Sequence, residues 1–110
     1  MIKLLALFIL FSTLHDREVG MASYYADKFH GRRTASGELY DKTKYTAAHR
    51  TLPFGTMVWV KNIKTQDSVL VRINDRGPHI KGRIIDVSRV AAVDLKLIKS
   101  GKAKVEVWEE

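Results

Sequence analysis

Two runs of alternating residues, Thr56 to Asn62 and Ser68 to Asn74, are separated by the short polar stretch Lys64 to Asp67. A period of two places successive side chains on opposite faces, so each run reads as a strand and the pair as an antiparallel hairpin. The second run then meets Asn74-Asp75-Arg76-Gly77-Pro78, where glycine supplies permissive torsion angles and proline ends any continued pairing. A polar cluster is thereby delivered at a strand end. Extending the alternation puts Asp75 on the face of Val69, Val71 and Ile73, at the mouth of an apolar interior. Desolvation there raises a carboxyl pKa, as a general acid needs, while a pairing with Arg76 would oppose the rise. The same cluster is also an ordinary turn former whose carboxylate bonds nearby amides.

The remaining chain offers short elements around this hairpin. Met21 to Ala26 can form a strand; Phe29 to Tyr40, rich in glycine and polar residues, reads as an exposed loop whose one carboxylate is Glu38. Ala47-Ala48-His49 leads to a turn at Pro53-Phe54-Gly55. Ile84 to Val87 is a strand carrying Asp86, and Ser88 can cap a helix running from Arg89 to about Lys99, with Val90, Val93 and Leu97 near helical spacing and Gly101 past its end. Lys102 to Trp108 alternates again. Many short strands with one helix point to a small closed or nearly closed barrel.

Size admits one domain of 110 residues. Met1 to Phe11 has Lys3 followed by an unbroken apolar run from Leu4, the layout of a short signal peptide and too short to span a bilayer. The expected division is therefore 1–19 as signal and linker and 20–110 as the folded domain, an exported protein of the periplasm or cell envelope, or one secreted. The net charge of +7 favours polyanionic partners. With no cysteine, disulfides and thiolate chemistry are excluded. His15, His30, His49 and His79 lack ligand spacing, so no metal and no cofactor is expected. No nucleic-acid motif accompanies the charge, and no nucleic-acid partner is expected.

Five blocks, Gly20-Met-Ala-Ser-Tyr-Tyr25, Thr34-Ala-Ser-Gly-Glu38, Thr46-Ala-Ala-His-Arg-Thr-Leu-Pro-Phe-Gly55, Val71-Arg-Ile-Asn-Asp-Arg-Gly-Pro78 and Gly82-Arg-Ile-Ile-Asp-Val-Ser88, together resemble the RlpA-like (rare lipoprotein A) family in order and spacing. The resemblance runs from Gly20 to Trp108. It implies a mainly β, six-stranded double-psi β-barrel with one or more short helices, related to barwin and expansin barrels. It also implies a lytic transglycosylase that cleaves the MurNAc–GlcNAc β-1,4 bond of peptidoglycan glycan strands, leaving 1,6-anhydromuramyl ends without consuming water. Under it Asp75, Glu38, His49 and Asp86 take catalytic positions, while Tyr24, Tyr25, Arg50 and Arg76 are wall contacts for sugars and carboxylates. No cysteine follows the signal-like segment, so no stable membrane anchor is expected after its removal. The alternative is a non-catalytic, expansin-like module that binds or loosens the wall.

Overall fold

The computed structural model describes residues 17–110. The signal-like segment lies outside them. Six strands close into a barrel: β1 (Glu18–Tyr24), β2 (Thr46–His49), β3 (Met57–Asn62), β4 (Ser68–Asp75), β5 (Arg83–Val87) and β6 (Ala103–Glu109), in the spatial order β1-β5-β2-β4-β3-β6. The hairpin of β3 and β4 forms as its alternation dictates, with Val58 opposite Val71 and Val60 opposite Val69. All four valines turn inward, and with Ile73, Ile85, Val87, Val105 and Val107 they fill the barrel. Burying such side chains stabilises by about 1.5–3 kcal/mol each before conformational entropy is counted.

Two pairs, β1 with β5 and β2 with β4, are parallel, and this pairing requires chain crossovers that no hairpin can supply. The chain passes from β2 to β4 by way of β3 and from β1 to β5 by way of the long segment before β2 and the three strands between, while α1 (Arg89–Asp94) joins β5 to β6. β1 starts earlier than the sequence indicates, because Glu18 and Val19 pair with Val107 and Glu106 of β6. Residues 18 and 19 therefore belong to the barrel and not to a linker.

The helix departs from its expected form. It ends at Asp94, short of Lys99, with Lys96 at φ 61° turning the chain out of helical geometry. Its buried side chains are Ala91 and Ala92, followed by Leu95 and Leu97 beyond its end, whereas Val93 is exposed. Ser88 does not cap it: the hydroxyl lies 3.4 Å from the amide of Thr46, while the first helical amides reach the Tyr40 hydroxyl and the Lys42 carbonyl. Tyr40, in a segment read as an exposed loop, is thus almost fully buried.

The strand register is interrupted twice, each time beside a carboxylate. In β4, Ile73 pairs with Ala47 but Asp75 pairs with Ala48, so Asn74 is an extra residue, a β-bulge. In β5, Arg83 pairs with Met21 and Ile85 with Ala22, so Ile84 is skipped shortly before Asp86. Gly20 makes room for this second bulge, since a Cβ there would lie 2.6 Å from Ile84 Cγ2. A bulge breaks alternation and re-aims the side chains beside it.

Candidate active site

The bulge at Asn74 overturns the simple extension of the strand pattern. Ile73 points into the core, yet Asp75 does not follow it inward: it lies on the outer face in a groove of about 460 Å³. There it sits in a row across four strands, Asp75 of β4, Ala48 of β2, Asp86 of β5 and Ser23 of β1, each paired in register with the next. All four line the groove. With strands about 4.8 Å apart, the two aspartates stand about 10 Å apart at Cα, with only the Ala48 methyl between them. A floor this low leaves space for a ligand flanked by both carboxylates.

Among the described residues, Asp75 is held by uncharged donors alone. The Tyr25 hydroxyl donates to Oδ2 at 2.5 Å, and the amides of Ala35 and Arg76 donate to Oδ1 at 2.8 and 2.9 Å. The pairing of Asp75 with the Arg76 guanidinium that the sequence left open does not form, because that group donates to the carbonyls of His49 and Leu52 and lies 4.1 Å over the Phe54 ring. Tyr25 is itself fixed by stacking on Tyr40 at 4.3 Å and by an edge contact with Phe29. Burial raises the Tyr25 phenol well above its ordinary value, and the hydrogen bond and charge of Asp75 add to the rise, so Tyr25 stays a proton donor in that bond. Asp86 accepts from Arg83 at 2.6 Å, a contact that the β5 bulge permits three residues along one strand.

The other residues chosen from the sequence lie around this groove. Glu38 faces a neighbouring cavity of about 540 Å³, where Arg72 grips it through both carboxylate oxygens at 2.6 and 3.0 Å. The Arg72 hydrogen bonds hold the Glu38 carboxyl below the usual range. The Thr34–Glu38 loop links the two cavities, with the Ala35 amide on Asp75 and the Ser36 amide on the Asn74 carbonyl. His49 is not brought to the groove. It is 5% exposed, its Nε2 meets Glu18 Oε1 at 2.9 Å, and its Nδ1 accepts from the amides of Thr51 and Leu52. Two amide donors on Nδ1 leave Nε2 carrying the proton.

Arg50 does not line the groove, but its guanidinium gathers the carbonyls of Pro78, Ile80 and Arg83 and so ties down the segment that does. Tyr24 lines it while its hydroxyl donates to the Ile98 carbonyl. Sequence reasoning missed Phe29, His79 and Ile80, which complete the wall. It also missed that Arg83 pairs with Asp86. Gly77 at φ 117° beside Pro78 was the available signal that the chain after Asp75 folds back along the groove.

A closed six-stranded barrel with two parallel strand pairs, carrying a groove with two aspartates across its outer face, is a double-psi β-barrel domain. A family model described as "Lytic transglycolase" matches residues 17–107. The chain is 57% identical over 88 residues to the endolytic peptidoglycan transglycosylase RlpA of Pasteurella multocida (strain Pm70), covering 80% of this chain and 30% of that one. It is 50% identical over 90 residues to the protein of the same name from Neisseria meningitidis serogroup A, covering 82% and 38%. The chain thus spans about a third of these relatives' length. Among solved structures, the Streptomyces papain inhibitor superposes with a TM-score of 0.68 at 21% identity, covering 84% of this chain and 93% of that one. An expansin from Clavibacter michiganensis gives 0.65 at 17%, covering 86% and 50%. These two share the fold. The chain belongs to the RlpA-like family of double-psi barrels.

Proposed function

We propose that this barrel is a lytic transglycosylase acting on the glycan strands of bacterial peptidoglycan. The observation that carries the reading is the row Asp75–Ala48–Asp86, two carboxylates flanking a low groove floor. The names of its relatives agree with it. Asp75 is the acid and base. Protonated, it gives its proton to the glycosidic oxygen as the bond from C1 of N-acetylmuramic acid to that oxygen breaks. Ionised, it then takes the proton of the same sugar's 6-hydroxyl as that oxygen bonds to C1. One carboxyl is used twice and water is not consumed, unlike hydrolysis by two carboxylates. Because no cation among the described residues pairs with Asp75, the proton can come and go without breaking an ion pair. The Tyr25 hydroxyl positions it throughout.

Asp86 stabilises the positive charge that develops at C1. Tyr25, Phe29 and Ile80 offer apolar surface to sugar rings. Glu38 and Arg72 lie beyond the cleaved bond, in the adjoining cavity, and engage a neighbouring part of the strand. His49, Arg50 and Arg76 act by holding the turns that shape the groove. Such a substrate lies outside the cytoplasm, and the signal-like run from Met1 to Phe11 supports export.

The test is mass spectrometry of the products released when the purified chain is incubated with intact and with peptide-stripped peptidoglycan, beside Asp75→Asn. Anhydromuramyl ends that vanish in the variant are the expected result. Reducing ends would mean hydrolysis, and wall binding without release from either substrate would establish the expansin-like alternative.

A further inference from the structure

A second cavity, of about 590 Å³, opens between the β3–β4 turn and the segment joining α1 to β6. Ile63 and Ala103 contribute to its lining, and the two segments are held together by the Ile63 amide on the Lys104 carbonyl at 3.2 Å. Five lysines surround it: Lys64, Lys96, Lys99, Lys102 and Lys104. All five are exposed, and among the described residues none makes an ion pair. This concentration of like charge makes a local positive field that attracts polyanions.

The choice of residue narrows which polyanion it suits. Every bridge between Lys or Arg and a carboxylate among the described residues uses arginine: Arg17–Glu106, Arg72–Glu38, Arg83–Asp86 and Arg89–Asp27. Guanidinium forks, which match carboxylates and phosphates alike, are here committed to carboxylates within the chain, whereas the ammonium groups left free act as mobile point charges that meet phosphate oxygens without a fixed planar match. The lysines are spread around a cavity far larger than one phosphate group, so several linked phosphates are needed to meet them. None of the residues lining the cavity is aromatic, so it lacks the stacking platform on which single-stranded nucleic acids are held. The site also adjoins the groove, because Ser23, at the end of the aspartate row, donates its hydroxyl to the Gly101 carbonyl within the lysine-bearing segment.

We infer that the five-lysine cavity is a binding site for a linear phosphodiester polymer without bases, bound alongside the groove. The inference is independent of the proposed cleavage, since it is read by binding alone. The full chain is titrated with poly(glycerol phosphate), poly-glutamate and single-stranded DNA of matched charge, at several salt concentrations. Poly(glycerol phosphate) is expected to bind best, with log affinity falling linearly in log salt as counterions are released. Replacing all five lysines by Gln should weaken it at least tenfold and flatten that slope. A control with Lys28, Lys42, Lys44, Lys61 and Lys81 replaced by Gln loses the same charge elsewhere and should bind within about threefold of wild type. An equal loss in the control overturns the site in favour of net charge. Tighter binding of DNA or of poly-glutamate overturns the ligand class, and no binding of poly(glycerol phosphate) overturns both. Acetylation of the unaltered chain gives a readout that needs no variant: bound polymer should shield these five lysines selectively, and uniform shielding refutes the site.

Discussion

Asp75 on the groove floor and Glu38 in the adjoining cavity are held in opposite ways. On the floor, Asp75 accepts a phenol and two amides, all neutral. Glu38 is gripped by the Arg72 guanidinium through both of its oxygens, while His49, outside the groove, ties the Glu18 carboxylate to two turn amides. Neutral donors fix a carboxylate's direction and leave its charge available to substrate. An ion pair fixes direction too, but shares the charge with its partner, through one contact where Arg83 meets Asp86 and through two where Arg72 grips Glu38. The same residue types thus serve chemistry in one place and architecture in the other.

The contrast can be broken most directly at Asp75. Asp75→Asn keeps the size and some of the hydrogen bonds but removes the transferable proton, and glycan cleavage should fall by about 10²–10⁴-fold with the thermal midpoint little changed; retained turnover would move the acid elsewhere. His49→Ala should do the reverse. It leaves the Thr51 and Leu52 amides without their acceptor and costs about 2 kcal/mol in denaturant unfolding. Turnover per folded molecule should drop far less than in Asp75→Asn, and an equal drop would place the imidazole in the chemistry.

Smaller effects sharpen the same division. Tyr25→Phe keeps the stack on Tyr40 and removes one donor to Asp75, so the turnover number should fall about tenfold with the Michaelis constant nearly unchanged. Glu38→Gln should mainly raise the Michaelis constant. Its stability effect should be below about 1 kcal/mol, because the pair is about half exposed. The sign is set by the lowered Glu38 value: the pair's contribution is present above the unfolded glutamate pKa of about 4.3 and is lost as pH falls through the folded value. Acid unfolding of the variant should therefore lack that component.

The β3–β4 hairpin was legible because one face of each strand is buried and the other is not, and alternation reports that difference. β2 was invisible for the converse reason. Thr46, Ala47, Ala48 and His49 are all buried, so a central strand carries no alternation, and small residues give no strand signal of their own. The groove carboxylates were found by resemblance and by their position at strand ends. Their grouping was not legible, since it depends on pairing β4 with β2 in parallel and on one extra residue. Periodicity likewise placed Val93 in the core, whereas the short helix packs through its alanines.

That extra residue gives β4 a choice between two alignments, and the charge of the aspartate decides between them. Ironed flat, the strand would set Asn74 opposite Ala48 and carry Asp75 inward beside Val71 and Ile73, where an ionised carboxylate has no counter-charge. The cost of desolvating that group keeps the kink in place, helped by the Ser36 amide on the Asn74 carbonyl. The acid thus guards the shape of its own groove. A valine at the same position would lose this safeguard as well as the proton, because an apolar side chain gains by turning inward and would draw the strand straight, whereas an asparagine is still repelled by the core.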